Sequence, residues 1–430
     1  MKRIFLSLCL FSSTNLIADY TRIGVENPSL SDGNNTSTTS QNSHCSCGCQ
    51  SCSAPPEPKK SIDCYTPAYY DLDCASGLFV SVDFLYWFAK DDGLTYGLQT
   101  STTKTQVGSF LINPKKFKSM EVRWDPGARV GIGYTSSCDG WDLYTTWTYF
   151  HGNNHNSISL PPFSAASFDP INTYPFTDVL LNPWIYPAGF LFANGDGSLI
   201  PYFNRISAQW LFSYNMFDLE LGGKFWLSKC FSLRPYGGVR GGWTKASFST
   251  TCTAEVPTTQ FIPTPLTEIN KVTFSTQFWG VGLLGGFQPA WHMGCGWSLF
   301  GNAEMALLWG NFDIKRKESL IRTPPRETPF FDSFPFPPSE DKFSAMQAML
   351  DLGLGLRWES TFCRNRYRFE IDLAWENHLL FNHNRREKLF GSFEVFLNSN
   401  TLDALSFLNF ERTYGDVSLA GVTGRVRFDF

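Results

Sequence analysis

The sequence predicts an all-β fold, a transmembrane antiparallel β-barrel, on three observations. A secretory signal opens the chain, apolar and polar residues alternate from Leu78 onward, and the last strand ends on an aromatic carboxy-terminus. On one face of that strand lie Ala420, Val422, Gly424, Val426, Phe428 and Phe430; Thr423, Arg425, Arg427 and Asp429 lie on the other. A period of two with charges at alternate positions describes a strand that separates lipid from water. It is the expected closing strand of a bacterial outer-membrane barrel, with Phe428 and Phe430 as its assembly signal.

Composition agrees. The chain has 430 residues, 16% aromatic and only 17% charged, which suits one barrel with a lipid-facing wall better than two soluble domains. No apolar run reaches the roughly eighteen residues of a spanning helix. A net charge of −4 argues against a nucleic-acid partner, which calls for a basic surface. The expected partners are outer-membrane lipid and the barrel assembly machinery.

At the amino terminus, Lys2 and Arg3 precede a short apolar run and a polar stretch leading to Ala18. This order marks residues 1–18 as a signal peptide. Leu16 is large for its place before the cut, so export is better marked than the cleavage point. Leu8 stands where lipidation of Cys9 needs a small residue.

Residues 19–76 read as a Cys-rich, flexible periplasmic segment, rich in Ser, Thr, Asn and Pro and nearly free of alternation. It holds Cys45, Cys47, Cys49, Cys52, Cys64 and Cys74. His44 with the first four cysteines has the composition of a soft-metal site, but an oxidising compartment favours disulfides. No metal or other cofactor is assigned.

Residues 77–430 form the barrel. Leu78, Val80, Val82, Phe84, Tyr86 and Phe88 share one face of the first strand; Ser81 and Asp83 fall on the other, blurred by Phe79, Leu85 and Trp87. Strands are expected to begin near Leu78, Ala128, Trp141, Ile206, Ser232, Val272, Trp297, Ala345, Tyr367 and Val417. Ten is the best count, in a range of 8–16, because residues 389–397 also alternate. Short connections around 136–140, 228–230, 289–296 and 360–366 take turns with long, polar, proline-rich ones. That asymmetry puts short turns on the periplasmic side and long loops outside. Trp297 and Trp309 share a face twelve positions apart, ~30 Å along a tilted barrel axis, close to the separation of two aromatic girdles. Core packing of the two tryptophans is the other reading.

Cys138, Cys230, Cys295 and Cys363 each fall in one of the four short turns. Random scatter would favour strands and long loops. The clustering on one rim points to disulfides among turns, the amino-terminal segment and neighbouring envelope proteins, or within a homo-oligomer; inert turn thiols are the alternative.

The segment LFVSVDFLYWFAKDDGL from Leu78 to Leu94 and the final GVTGRVRFDF from Gly421 to Phe430 resemble the chlamydial major outer membrane protein-like family and the related pore-forming outer-membrane family of Legionella. The two motifs cover the ends of the barrel region. The resemblance implies a porin-like, surface-exposed, disulfide-linked protein of the bacterial outer membrane.

The expected function is a porin for passive diffusion of small hydrophilic solutes, which is also a cross-linked envelope component. Arg123, Arg129, Arg357, Arg368, Arg425 and Arg427 are candidate pore-lining cations, facing Asp83, Asp351, Glu370, Asp372 and Glu376. The alternatives are that these charges pair and fill the interior, and that the barrel is a structural or adhesive protein without an open pore. No catalytic residue is assigned: His151, His155, His378 and His383 map to strand ends or loops, and no nucleophile, base and carboxylate stand at a convincing spacing.

Overall fold

A computed structural model of the chain describes residues 72, 77–104, 110–136, 141–162, 175–185, 203–256, 265–323, 333–335, 338–363, 365–398 and 401–430. The signal peptide, the Cys-rich segment apart from Leu72, and Cys138 lie outside them.

Ten strands close into one antiparallel barrel. They are β1 (Leu78–Asp91), β4 (Trp124–Thr135), β5 (Trp141–Ser159), β7 (Arg205–Gly223), β9 (Phe231–Val256), β10 (Leu266–Gly294), β11 (Trp297–Thr323), β13 (Ser339–Phe362), β14 (Tyr367–Asn398) and β15 (Thr401–Asp429). Each pairs with the next in this order, and β15 pairs with β1, Asp83 opposite Arg425 and Phe79 opposite Asp429, so the wall has no free edge. Among the described residues there are also short insertions: β2 (Thr95–Lys104), β3 (Phe110–Ser119) and β6 (Pro175–Leu181) form a separate three-stranded sheet. β8 (Phe225–Ser228) and β12 (Ser333–Pro335) each pair with one neighbour.

Seven of the ten expected strand starts fall within four residues of the observed ones; β10 and β13 begin six residues earlier, at Leu266 and Ser339, and the largest difference is at β15. β15 begins at Thr401 rather than Val417, because β14 and β15 continue past the wall as a ribbon in which Asn384 opposes Gly415 and Asn398 opposes Thr401. The alternation at 389–397 belongs to this extension and not to an eleventh wall strand. The turn expected at 289–296 is also shorter: β10 runs through Pro289 to Gly294, leaving Cys295 and Gly296 as the turn.

Both ends of the barrel chain and the described short turns share one rim, where Phe430 N–H donates to Leu78 O at 2.9 Å. From that rim upward, outward positions are apolar and exposed: Val82, Ile132, Leu221, Leu283, Leu354 and Leu373 are examples. Inward positions carry charge. This inverts a soluble barrel and is the pattern of a wall in contact with hydrocarbon.

Two aromatic belts bound that wall. Trp141, Trp291, Trp297 and Phe430 are exposed near the short-turn rim. Higher up, Tyr86 stacks on Trp124 (5.3 Å), Trp124 meets Trp375 edge-on (5.9 Å), Trp147 stacks on Phe217 (6.0 Å) and Phe217 touches Trp243 (5.9 Å). Trp297 stands in the lower belt and Trp309 in the upper, both exposed, so neither is core.

Above the upper belt the polarity of the same strands reverses. On β10, Trp279, Val281 and Leu283 face outward below the switch, and Thr273, Ser275 and Gln277 above it. The inward positions of that upper stretch, Val272, Phe274, Thr276 and Phe278, are all buried. β7 repeats this: Asp218 and Glu220 face inward below, Trp210, Phe212 and Tyr214 above. Lipid solvates the outer face of the lower half, whereas water surrounds the upper half, whose core is largely apolar with the buried pairs Asp91–Arg386 and Arg316–Glu318 inside it.

Candidate functional site

Strand pairing sets the lower lumen. Because opposed residues share a face, Asp83 on β1 lies between Arg425 on β15 and Arg129 on β4. Arg425 donates Nε and Nη2 to Asp83 at 3.0 and 2.9 Å; Arg129 donates Nη1 to Asp83 at 3.1 Å and Nη2 to Glu376 at 2.9 Å. Nearby, Arg357 forms a two-pronged bond to Asp372 (2.9 Å on each prong) and lies 3.1 Å from Glu370. At the rim, Asp429 accepts from Arg427 at 2.8 Å and from Arg368 at 2.5 Å. Of the eleven expected lining residues, these pairings and Asp351 account for ten. Arg123 is the correction: it sits exposed in the segment before β4, above the upper belt, where Asn154 Oδ1 accepts its backbone N–H at 3.0 Å.

The centre of the layer is a residue the sequence reading passed over. Arg240 donates to Asp218 (2.6 Å), Asp351 (2.6 Å) and Glu304 (2.5 Å), with all four side chains buried. Arg234 holds Asp142 at 2.8 Å and Glu220 at 3.2 Å. His378 bonds Asp351 at 2.8 Å and Glu376 at 3.3 Å, inside β14 rather than in a loop. His151 and His155 likewise lie within β5, and His383 within β14. The signal for Arg240 was its setting: Gly238 and Gly242 flank it on the same inward face, and a Cβ at either would meet the backbone of β7 at Leu219 or Asn215. Such glycines make room for a guanidinium between close strands.

The ion pairs leave a cavity of about 100 Å³. Asp218, Glu220, Glu304, Asp351, Asp372 and Glu376 line it, against Arg129, Arg234, Arg240 and Arg425. Carboxylates thus outnumber arginines six to four, and His378 is the other ionisable base. Each charge in such a layer is costly to desolvate, and shared multidentate bonding offsets that cost.

An apolar layer covers the charged one. Trp87, Phe150, Trp210, Phe212, Phe278 and Phe312 are fully or almost fully buried here. A polar crossbar threads it: His383 bonds Thr244 Oγ1 at 2.7 Å and Gln347 Oε1 at 3.0 Å, with the rings of Phe212, Phe278 and Phe312 around the imidazole. The register shift between Leu380 and Asn384, with Asn382 at φ 50°, aims that side chain across the lumen.

Of the cysteines expected to bridge, Cys230, Cys295 and Cys363 are among the described residues and lie exposed in short turns; Cys252, outside that group, is buried on β9. No bridge joins any two of them.

Residues 73–430 match the family described as Legionella pneumophila major outer membrane protein precursor. The chain belongs to this family. Family and wall together place it in the bacterial outer membrane, where the short-turn rim faces the periplasm. Among curated proteins no relative matches. Similar solved structures include the outer membrane protease OmpT of Escherichia coli, 10% identical with a TM-score of 0.31, covering 83% of this chain and 98% of that one. A FadL homologue of Pseudomonas aeruginosa is 8% identical with a TM-score of 0.22, covering 83% and 90%. The toluene transporter TodX of Pseudomonas putida is 6% identical with a TM-score of 0.18, covering 82% and 90%.

Proposed function

We propose that this outer-membrane protein is a channel for passive diffusion of small hydrophilic solutes, small cations foremost, and that the structure describes its closed form. The charged layer carries the proposal. Ten charged side chains line one cavity of the lumen, and a permeation path needs such polar groups to replace water of hydration. Six carboxylates against four arginines and His378 leave at most a small net negative charge, which favours cations weakly. Single-channel recording in planar bilayers under a KCl gradient is the test. Conductance steps with a cation-selective reversal potential are expected; a silent bilayer under both reducing and oxidising conditions overturns the channel.

The apolar layer favours a second reading, a barrel sealed in its outer half that acts as an envelope component. Exposed Cys230, Cys295 and Cys363 on the periplasmic rim would then join it to the amino-terminal segment or to neighbouring proteins. Non-reducing gels of whole envelopes distinguish this role, since migration as a monomer with and without reductant excludes cross-linking.

A further inference from the structure

Trp184 enters the outer lumen from outside the wall, in the same buried cluster as Val179, Leu180 and Phe203. Residues 182–185 follow β6 and take part in no strand pairing. Asn182 fixes them to β9, donating Nδ2 to Thr250 Oγ1 at 2.8 Å and to Cys252 Sγ at 2.9 Å, while its Oδ1 accepts the backbone N–H of Trp184 at 2.9 Å. The Trp184 indole N–H donates to Thr95 O at 2.6 Å. Its ring meets Phe248 at 5.9 Å and Phe274 at 5.4 Å, both edge-on, and the Arg386 guanidinium stands 5.6 Å from its centre. Arg316 on β11 donates to its carbonyl at 3.2 Å. A single residue therefore ties β2, β9, β10, β11 and β14 together across the mouth.

We propose that residues 182–185 are the moving stopper of this lumen, with Trp184 as the plug and Asn182 as its latch on β9. The proposal rests on the channel reading. A wall side chain can only turn in place, whereas this strap can withdraw without breaking a barrel ladder bond. Its seat is amphipathic: withdrawal returns Arg316, Arg386, Thr250 and the Thr95 carbonyl to water, which offsets the exposure of Phe248 and Phe274. Water in the emptied seat then reaches the apolar ring around His383, a constriction of the kind that gates by wetting.

The latch supplies its own test. In Asn182→Cys the new thiol lies beside buried Cys252, so oxidised glutathione should lock the strap to β9, with loss of both free thiols read by mass spectrometry. Planar-bilayer recordings should show the locked form silent and dithiothreitol restoring wild-type openings. Trp184→Ala should raise open probability at least tenfold. Steps in wild type that are unchanged in both the locked N182C form and W184A overturn the stopper and leave the channel standing. Silence of wild type and W184A alike overturns the channel itself.

Discussion

Trp243 on β9 and Trp279 on β10 oppose each other on the outer wall, and the polarity of both strands reverses at that pair. Towards the periplasm the outward residues are Val239, Val281 and Leu283; away from it they are Lys245, Ser247, Ser275 and Gln277. One continuous ladder is thus a membrane wall over part of its length and the wall of a water-surrounded barrel over the rest.

A lysine reads this boundary directly. Leu283→Lys, at a position 72% exposed on the lipid-facing wall, should cost about 2–4 kcal/mol of folding free energy in bilayers. Ser275→Lys, eight positions along the same row, should change stability by less than about 0.5 kcal/mol. Urea unfolding in lipid vesicles, followed by heat-modifiable gel mobility, measures both.

Arg240 holds the charged layer together, so Arg240→Ala should destabilise by about 3–5 kcal/mol, leaving Asp218, Glu304 and Asp351 without their shared partner. Adding Glu304→Gln and Asp351→Asn should recover part of that loss. Equilibrium unfolding of the single and triple variants tests the pair of expectations.

How far the sequence could reach is clear from this same layer. Alternation with charges at every second position makes Asp83, Arg425 and Asp372 legible, because lipid on one side imposes a strict rule on each strand. Arg240 and Glu304 were missed because glycine, alanine and tyrosine neighbours dilute the alternation around them. The apolar inner face of Trp210 and Phe212 reads as a lipid face when each strand is assigned one polarity throughout, so the reversal at the upper belt was invisible. Arg123 shares the parity of Arg129, but the wall strand begins only at Trp124.

Burial pushes the Cys252 thiol up to about 12, against the Asn182 contact that pulls it down. Roughly one thiol in ten thousand is then ionised at pH 8. Iodoacetamide should label Cys230, Cys295 and Cys363 readily in the folded barrel and reach Cys252 far more slowly, only while the strap is withdrawn or the barrel is unfolded. Peptide mapping by mass spectrometry checks this, and early labelling of Cys252 contradicts the packed outer lumen.

Asp91 pairs with Arg386 at 2.5 Å above the upper belt, and burial raises its carboxyl to about 6 despite that partner. A folded-state value above the unfolded one means that the proton binds the folded form more tightly. This group's contribution to stability is therefore present in full below about pH 4 and lost as pH rises through about 6. Relative to Asp91→Asn, the wild type should gain thermal stability on acidification from pH 7 to pH 4.5. Melting curves across that range decide it.

Depth along β10 is the most direct measure of the central claim, that the membrane ends where polarity reverses. A single environment-sensitive probe placed in turn at Leu283, Val281, Gln277, Ser275 and Thr273 would be quenched by lipids brominated along their acyl chains. Strong quenching at Leu283 and Val281, and none at Gln277, Ser275 and Thr273, is the predicted profile. Quenching that continues undiminished to Thr273 would place the apolar-filled half inside the bilayer and contradict the account.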